Sequence, residues 1–188
     1  MRAPLLARSL VAAALVLSLA APVHAELRIS DLAVYLNDHE VTVHVVLLGA
    51  VPDGLHESIT SGIPAHVRFT VELWQYNRLW PDQLLTTRTI ERSLAYNVVT
   101  KEFKVASLKG ESRPVYASRE LRDAARVLAE VRSLKMSPAT ALDPTAVIYV
   151  RVHAEAALNG ENTFVARMAG TAEQTTRQSD YRTLERVR

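Results

Sequence analysis

Val67-Arg68-Phe69-Thr70-Val71-Glu72-Leu73-Trp74 is the stretch that sets the fold. Val67, Phe69, Val71 and Leu73 share one parity, and Arg68, Thr70, Glu72 and Trp74 the other. That period of two belongs to a pleated strand with one face buried. Val41, Val43, Val45 and Leu47 repeat the pattern upstream, with Leu27–Leu36 as a hairpin partner across Asn37-Asp38-His39. Downstream, Ile148, Val150, Val152 and Ala154 point inward, while Tyr149, Arg151, His153 and Glu155 point outward. Asn159-Gly160 reads as a hairpin turn into a return strand over Asn162–Thr171. Further strands are expected over Leu84–Tyr96, around Phe103 and Val105, and through Val115 and Tyr116. Ser179–Val187 would be a last strand, within a C-terminal segment, 172–188, expected to fray.

Two helices interrupt this pattern. Pro52-Asp53-Gly54 precedes a short one at about 55–61, with Asp53 as its N-cap and Gly62 just past its end. Leu121, Ala124, Ala125, Leu128 and Val131 recur at helical spacing and predict an amphipathic helix over about 119–133, capped by Ser118. Met136–Pro144 then reads as a linker. The expected fold is mainly β: an antiparallel β-sandwich of about seven to nine strands with those two helices.

Met1–Leu10 carries Arg2 and Arg8 and no acid, Leu10–Ala21 is apolar apart from Ser18, and Val23-His24-Ala25 ends in a small residue. This is the pattern of a cleavable signal peptide over 1–25, cut after Ala25. The apolar run falls short of the roughly 20 residues that span a bilayer. The expectation is general secretory export to the periplasm, leaving one domain, 26–188, whose only membrane contact came through the signal before cleavage. Of the 22 Lys and Arg, Arg2 and Arg8 leave with the signal, and the remaining 20 balance the 20 Asp and Glu. Without a net positive field, nucleic acid is not expected as a partner. There is no cysteine, so disulfides and thiolate chemistry are excluded.

Four segments together resemble a known family. They are Ser61-Gly62-Ile63-Pro64; Trp74-Gln75-Tyr76-Asn77-Arg78-Leu79-Trp80; Leu94-Ala95-Tyr96-Asn97-Val98-Val99-Thr100-Lys101; and Leu142-Asp143-Pro144 ahead of Tyr149-Val150-Arg151-Val152. In order and spacing the chain is similar to proteobacterial exported proteins of the domain of unknown function 4390 family, DUF4390, over roughly Leu27–Thr171. Gly160–Arg188 is richer in Ala, Thr and Gln than the resemblance implies. The family carries no established activity and so implies no catalytic residues. The frequent neighbourhood of its genes to a membrane sensor kinase implies a lead toward envelope signalling.

Motifs for chemistry are sparse. His153-Ala154-Glu155 spaces an imidazole and a carboxylate for a shared metal, but the cysteine pair of zinc deaminases is missing. Asp38-His39-Glu40 is explained by turn chemistry. There is no Gly-x-Ser-x-Gly, Walker loop, dinucleotide fingerprint or HExxH. No metal site, cofactor or catalytic residue is assigned. The candidate binding patch is Trp74, Tyr76, Arg78 and Trp80, because Trp, Tyr and Arg on a nominally outer face are the residues of binding hot spots. The competing reading is that the inserted helix covers that face and makes the Trp residues a second small core. The expected function is a non-enzymatic envelope module that binds an envelope protein or small envelope ligand. The alternatives are an accessory to a membrane sensor kinase, or a hydrolase with an unrecognised acidic or histidine dyad.

Overall fold

The computed structural model describes residues 26–36, 39–158 and 172–183. The strands are β1 (Arg28–Leu36), β2 (Glu40–Leu48), β3 (Ala65–Gln75), β4 (Gln83–Asn97), β5 (Glu102–Lys109), β6 (Tyr116–Ser118), β7 (Glu130–Pro138), β8 (Val147–Leu158), β9 (Ala172–Gln178) and β10 (Arg182–Thr183). The helices are α1 (His56–Thr60), entered through a 3-10 turn at Asp53–Leu55, and α2 (Leu121–Ala129). A three-stranded sheet has the order β1-β2-β7, and a larger one the order β10-β8-β3-β4-β5-β6, with β9 also on β8. Every paired neighbour is antiparallel.

The parity read from the sequence is the parity of burial. Val67, Phe69, Val71 and Leu73 of β3 are buried, as are Val41, Val43, Val45 and Leu47 of β2 and Ile148, Val150, Val152 and Ala154 of β8. These faces meet in one core cluster, the mainly β fold expected. β3 lies between β4 and β8, so its alternation controls the register of the large sheet. On the far side of the sandwich, β1 and β9 are joined through side chains. Arg177 Nη1 donates to the carbonyls of Ile29 (3.0 Å) and Ser30 (2.7 Å), beside the bulge in β1. The Leu27 N–H donates to Glu173 Oε2 at 3.0 Å. Residues 172–178, expected to fray, instead pair along β8 from Ala157 to Arg151.

The predicted longer helix is cut short. It ends at Ala129, and 130–138, expected as helix end and linker, form β7 against β2. Val131 fits the helical stripe by spacing, yet it pairs with Val45 and is buried. The unpaired edge of β2 takes this segment as a strand, a long-range partner overriding local periodicity. Ser118 ends β6 and its hydroxyl accepts the Glu120 N–H at 3.1 Å, while Glu120 holds the N-cap position. Ala124 and Leu128 of α2 are fully buried, and the helix packs on β4, β5, β6 and β2. α1 ends close to expectation, with Gly62 at φ 101° and the Gly62 N–H on the Ile59 carbonyl. The side chain of Asp53, the segment 1–25, Asn37-Asp38, Asn159-Gly160 and the return strand over Asn162–Thr171 lie outside the described residues.

One buried polar residue organises the α2 side. Arg92 of β4 is 2% exposed and shares its inward parity with Ile90 and Leu94. Its guanidinium donates from Nε and Nη2 to the two oxygens of Glu111. Nη1 donates to the carbonyls of Val127 (2.7 Å) and Glu130 (2.6 Å), where α2 passes into β7. A fork binding both carboxylate oxygens, with a third nitrogen on helix-terminal carbonyls, leaves little of the buried charge uncompensated.

Candidate functional site

The strand pair β3 and β8 places Trp74 directly across from Tyr149 on the face opposite the core. Their rings are parallel within 6°, with centroids 6.4 Å apart. The Arg151 guanidinium lies over both, 5.0 Å from the Trp74 ring and 5.8 Å from the Tyr149 ring. Tyr181, between β9 and β10, meets Tyr149 and Tyr76 edge-on, each at 5.2 Å. A bulge between Leu73 and Trp74 interrupts the β3–β4 register at the point where this aromatic bed begins.

Acids around the bed are turned inward and used. Trp74 Nε1 donates to Glu72 Oε2 at 2.8 Å, and the Tyr149 hydroxyl donates to Asp82 Oδ2 at 2.8 Å. Asp82 Oδ1 accepts the Asn77 N–H at 3.0 Å, and Asn77 Nδ2 donates to the Pro81 carbonyl at 3.2 Å. The Tyr76 N–H donates to the Val147 carbonyl at 2.8 Å. The loop from β3 to β4 is therefore fixed at its base by its own hydrogen bonds.

The four residues predicted as a patch divide into two groups. Trp74 and Tyr76 belong to the bed, with Trp74 half-buried. Arg78 and Trp80 stand on the loop beyond it, where Leu79 is 86% and Trp80 79% exposed. Among the described residues, Trp80 makes no ring contact with the bed. α2 is not what covers this face, since it packs on β4–β6 and β2. Tyr149 is nevertheless only 2% exposed and Trp74 half-buried, so these two rings form a small second core under Arg151 and Tyr181, and the exposed part of the patch is Tyr76, Arg78 and Trp80. Sequence reasoning missed Tyr149, Asp82, Arg151 and Tyr181 as members. Tyr149 and Arg151 carried a signal, since both have outward parity on β8, but their register against β3 is a tertiary fact.

Burial, followed by the hydrogen bond to Asp82, pushes the Tyr149 phenol from its ordinary value near 10 up to about 12. The folded state thus holds this proton more tightly than the unfolded chain. Its stabilisation is complete below about pH 10 and is lost as pH rises through about 12. Tyr149→Phe is expected to remove that alkaline loss, on the order of 2 kcal/mol. Urea titrations at a series of alkaline pH values, followed with tyrosinate absorbance, measure it; identical pH profiles for both proteins would refute it.

His153 offers less than its spacing suggested. Its Nδ1 lies 2.8 Å from Thr176 Oγ1, and its Nε2 is 3.8 Å from Glu72 Oε2, the oxygen already bonded to Trp74. That separation exceeds a hydrogen bond, so the imidazole and carboxylate do not form a closed dyad. Glu155 Oε2 lies 3.8 Å from Arg68 Nη1. Among the described residues, no three His, Asp or Glu side chains converge as a metal site.

A family described as a domain of unknown function, DUF4390, matches residues 24–160. The chain belongs to the DUF4390 family. The match covers β1 to β8 and therefore includes Trp74, Tyr76, Tyr149, Arg151 and the whole loop between β3 and β4. β9, β10 and Tyr181 lie beyond it. No curated protein and no solved structure is detectably similar to the chain.

Proposed function

We propose that this DUF4390 protein is a non-enzymatic binding module of the cell envelope, exported by its N-terminal signal and engaging its partner through the aromatic end of the large sheet. The observation that carries this reading is the exposure of Leu79 and Trp80 beside Tyr76 and Tyr181, on a loop anchored by Asp82 and Asn77. Exposed Trp, Tyr and Arg on a loop whose base is held by hydrogen bonds suit binding, because little backbone freedom remains to be lost there on contact. The partner is an envelope protein or a small envelope ligand.

Crosslinking from a photoreactive residue placed at position 78 in living cells tests the proposal. One discrete adduct is expected, retained with Arg119→Gln, an exposed position next to α2, and lost with Trp80→Ala. An adduct with the membrane sensor kinase would make the protein an accessory of that kinase. No adduct, or one indifferent to Trp80→Ala, would refute the contact surface. Both substitutions leave the core untouched, so far-ultraviolet circular dichroism should stay that of the parent protein.

A further inference from the structure

The apex of the loop between β3 and β4 has the chemistry of a bilayer-docking tip. We infer that Arg78, Leu79 and Trp80, flanked by Tyr76 and Tyr181, seat this protein on an anionic lipid surface. This rests on the reading of the aromatic end as a contact surface, and it departs from the expectation that membrane contact ends with the signal peptide.

Shape is the first argument. At 86% and 79% exposure Leu79 and Trp80 protrude, so they suit a soft partner that can close around them. Trp and Tyr are the side chains that settle at the level of lipid headgroups, and Leu reaches below it. Backbone chemistry is the second. Pro81 has no N–H, its carbonyl is taken by Asn77 Nδ2, and the Asn77 N–H is taken by Asp82, which lowers the cost of bringing the loop toward hydrocarbon. Charge is the third. Asp82 and Glu72 point their oxygens at Tyr149, Asn77 and Trp74, whereas Arg78 is exposed and, among the described residues, in no ion pair. The charge presented at the apex is thus positive, complementary to anionic headgroups. Asp180, exposed next to Tyr181, is the acid at its margin.

The test is co-sedimentation of the exported protein, its N-terminus determined by mass spectrometry, with vesicles of phosphatidylglycerol and phosphatidylcholine or of phosphatidylcholine alone. Binding to the anionic vesicles is expected, with a blue shift of Trp80 fluorescence read in a Trp74→Phe background. Leu79→Ser with Trp80→Ser should weaken it by roughly tenfold or more, as two apolar side chains are kept in water. Arg78→Gln should reduce the preference for anionic over neutral vesicles and the sensitivity to salt. Absence of vesicle binding, or binding that the double substitution leaves unchanged, overturns the inference. A Trp80-dependent protein adduct in cells without vesicle binding would overturn the lipid assignment and leave the contact surface standing.

Discussion

Arg92→Met is expected to destabilise the fold by about 3–4 kcal/mol, a large part of the roughly 5–15 kcal/mol that holds a domain folded. Methionine fills most of the space, so cavity formation is a minor effect. The loss comes from the partners left behind. The Glu111 carboxylate loses both bonds from the fork, and the carbonyls of Val127 and Glu130 lose their donor. Each unsatisfied buried group costs about 1–3 kcal/mol. Glu111→Gln should cost less, because an amide oxygen still accepts one bond and Arg92 keeps both carbonyls. Arg92→Met combined with Glu111→Gln should fall short of the sum of the single losses, since the two substitutions remove the same bonds. Urea denaturation of the four proteins measures this. A loss below about 1 kcal/mol for Arg92→Met would show that the buried fork contributes no net stability.

Gly110→Ala, one residue from that fork, is expected to cost about 3 kcal/mol or more. Gly110 sits at φ 85°, and a Cβ there would lie 1.8 Å from the Thr89 carbonyl oxygen and 2.9 Å from its carbon. Those atoms are backbone of β4, held in the ladder with β3, so they cannot give way as a side-chain tip would. The chain after β5 must therefore withdraw, which carries Glu111 away from Arg92. The close approach follows a bulge: Glu91 pairs with Lys109 but Arg92 with Ser107, and the Ser107 hydroxyl donates to the Glu111 carbonyl. Gly110→Ala should also lower the effect of a subsequent Glu111→Gln, since its bond to Arg92 is already weakened. Thermal and urea unfolding would check both statements; wild-type stability for Gly110→Ala would mean the loop can reposition freely.

These two sites show where sequence reading works and where it stops. The strands β2, β3 and β8 were legible because alternation is a property of the pleat itself, and a slip by one residue would expose every Val and Leu at once. Arg92 left a readable trace, an arginine on the parity of Ile90 and Leu94, but its compensation by Glu111 and two carbonyls depends on segments 19 to 38 residues away. β7 was hidden for the opposite reason. Val131 continues the stripe of α2, and only the open edge of β2 turns that segment into a strand.

The candidate site divides along the same line. The sequence alone placed Trp74 and Tyr76 on the outward face and grouped Arg78 and Trp80 with them, since strand parity and a turn are local. Only the tertiary structure put Tyr149 opposite Trp74, Arg151 over both rings, Tyr181 against two tyrosines and Asp82 beneath the loop. It also sent α2 to the β4–β6 side, buried Tyr149 within the aromatic end and, among the described residues, left Leu79 and Trp80 exposed beyond it. Periodicity says which face a side chain takes. What stands on that face beside it is set by strand order and register, and those are fixed by the burial of the whole core at once.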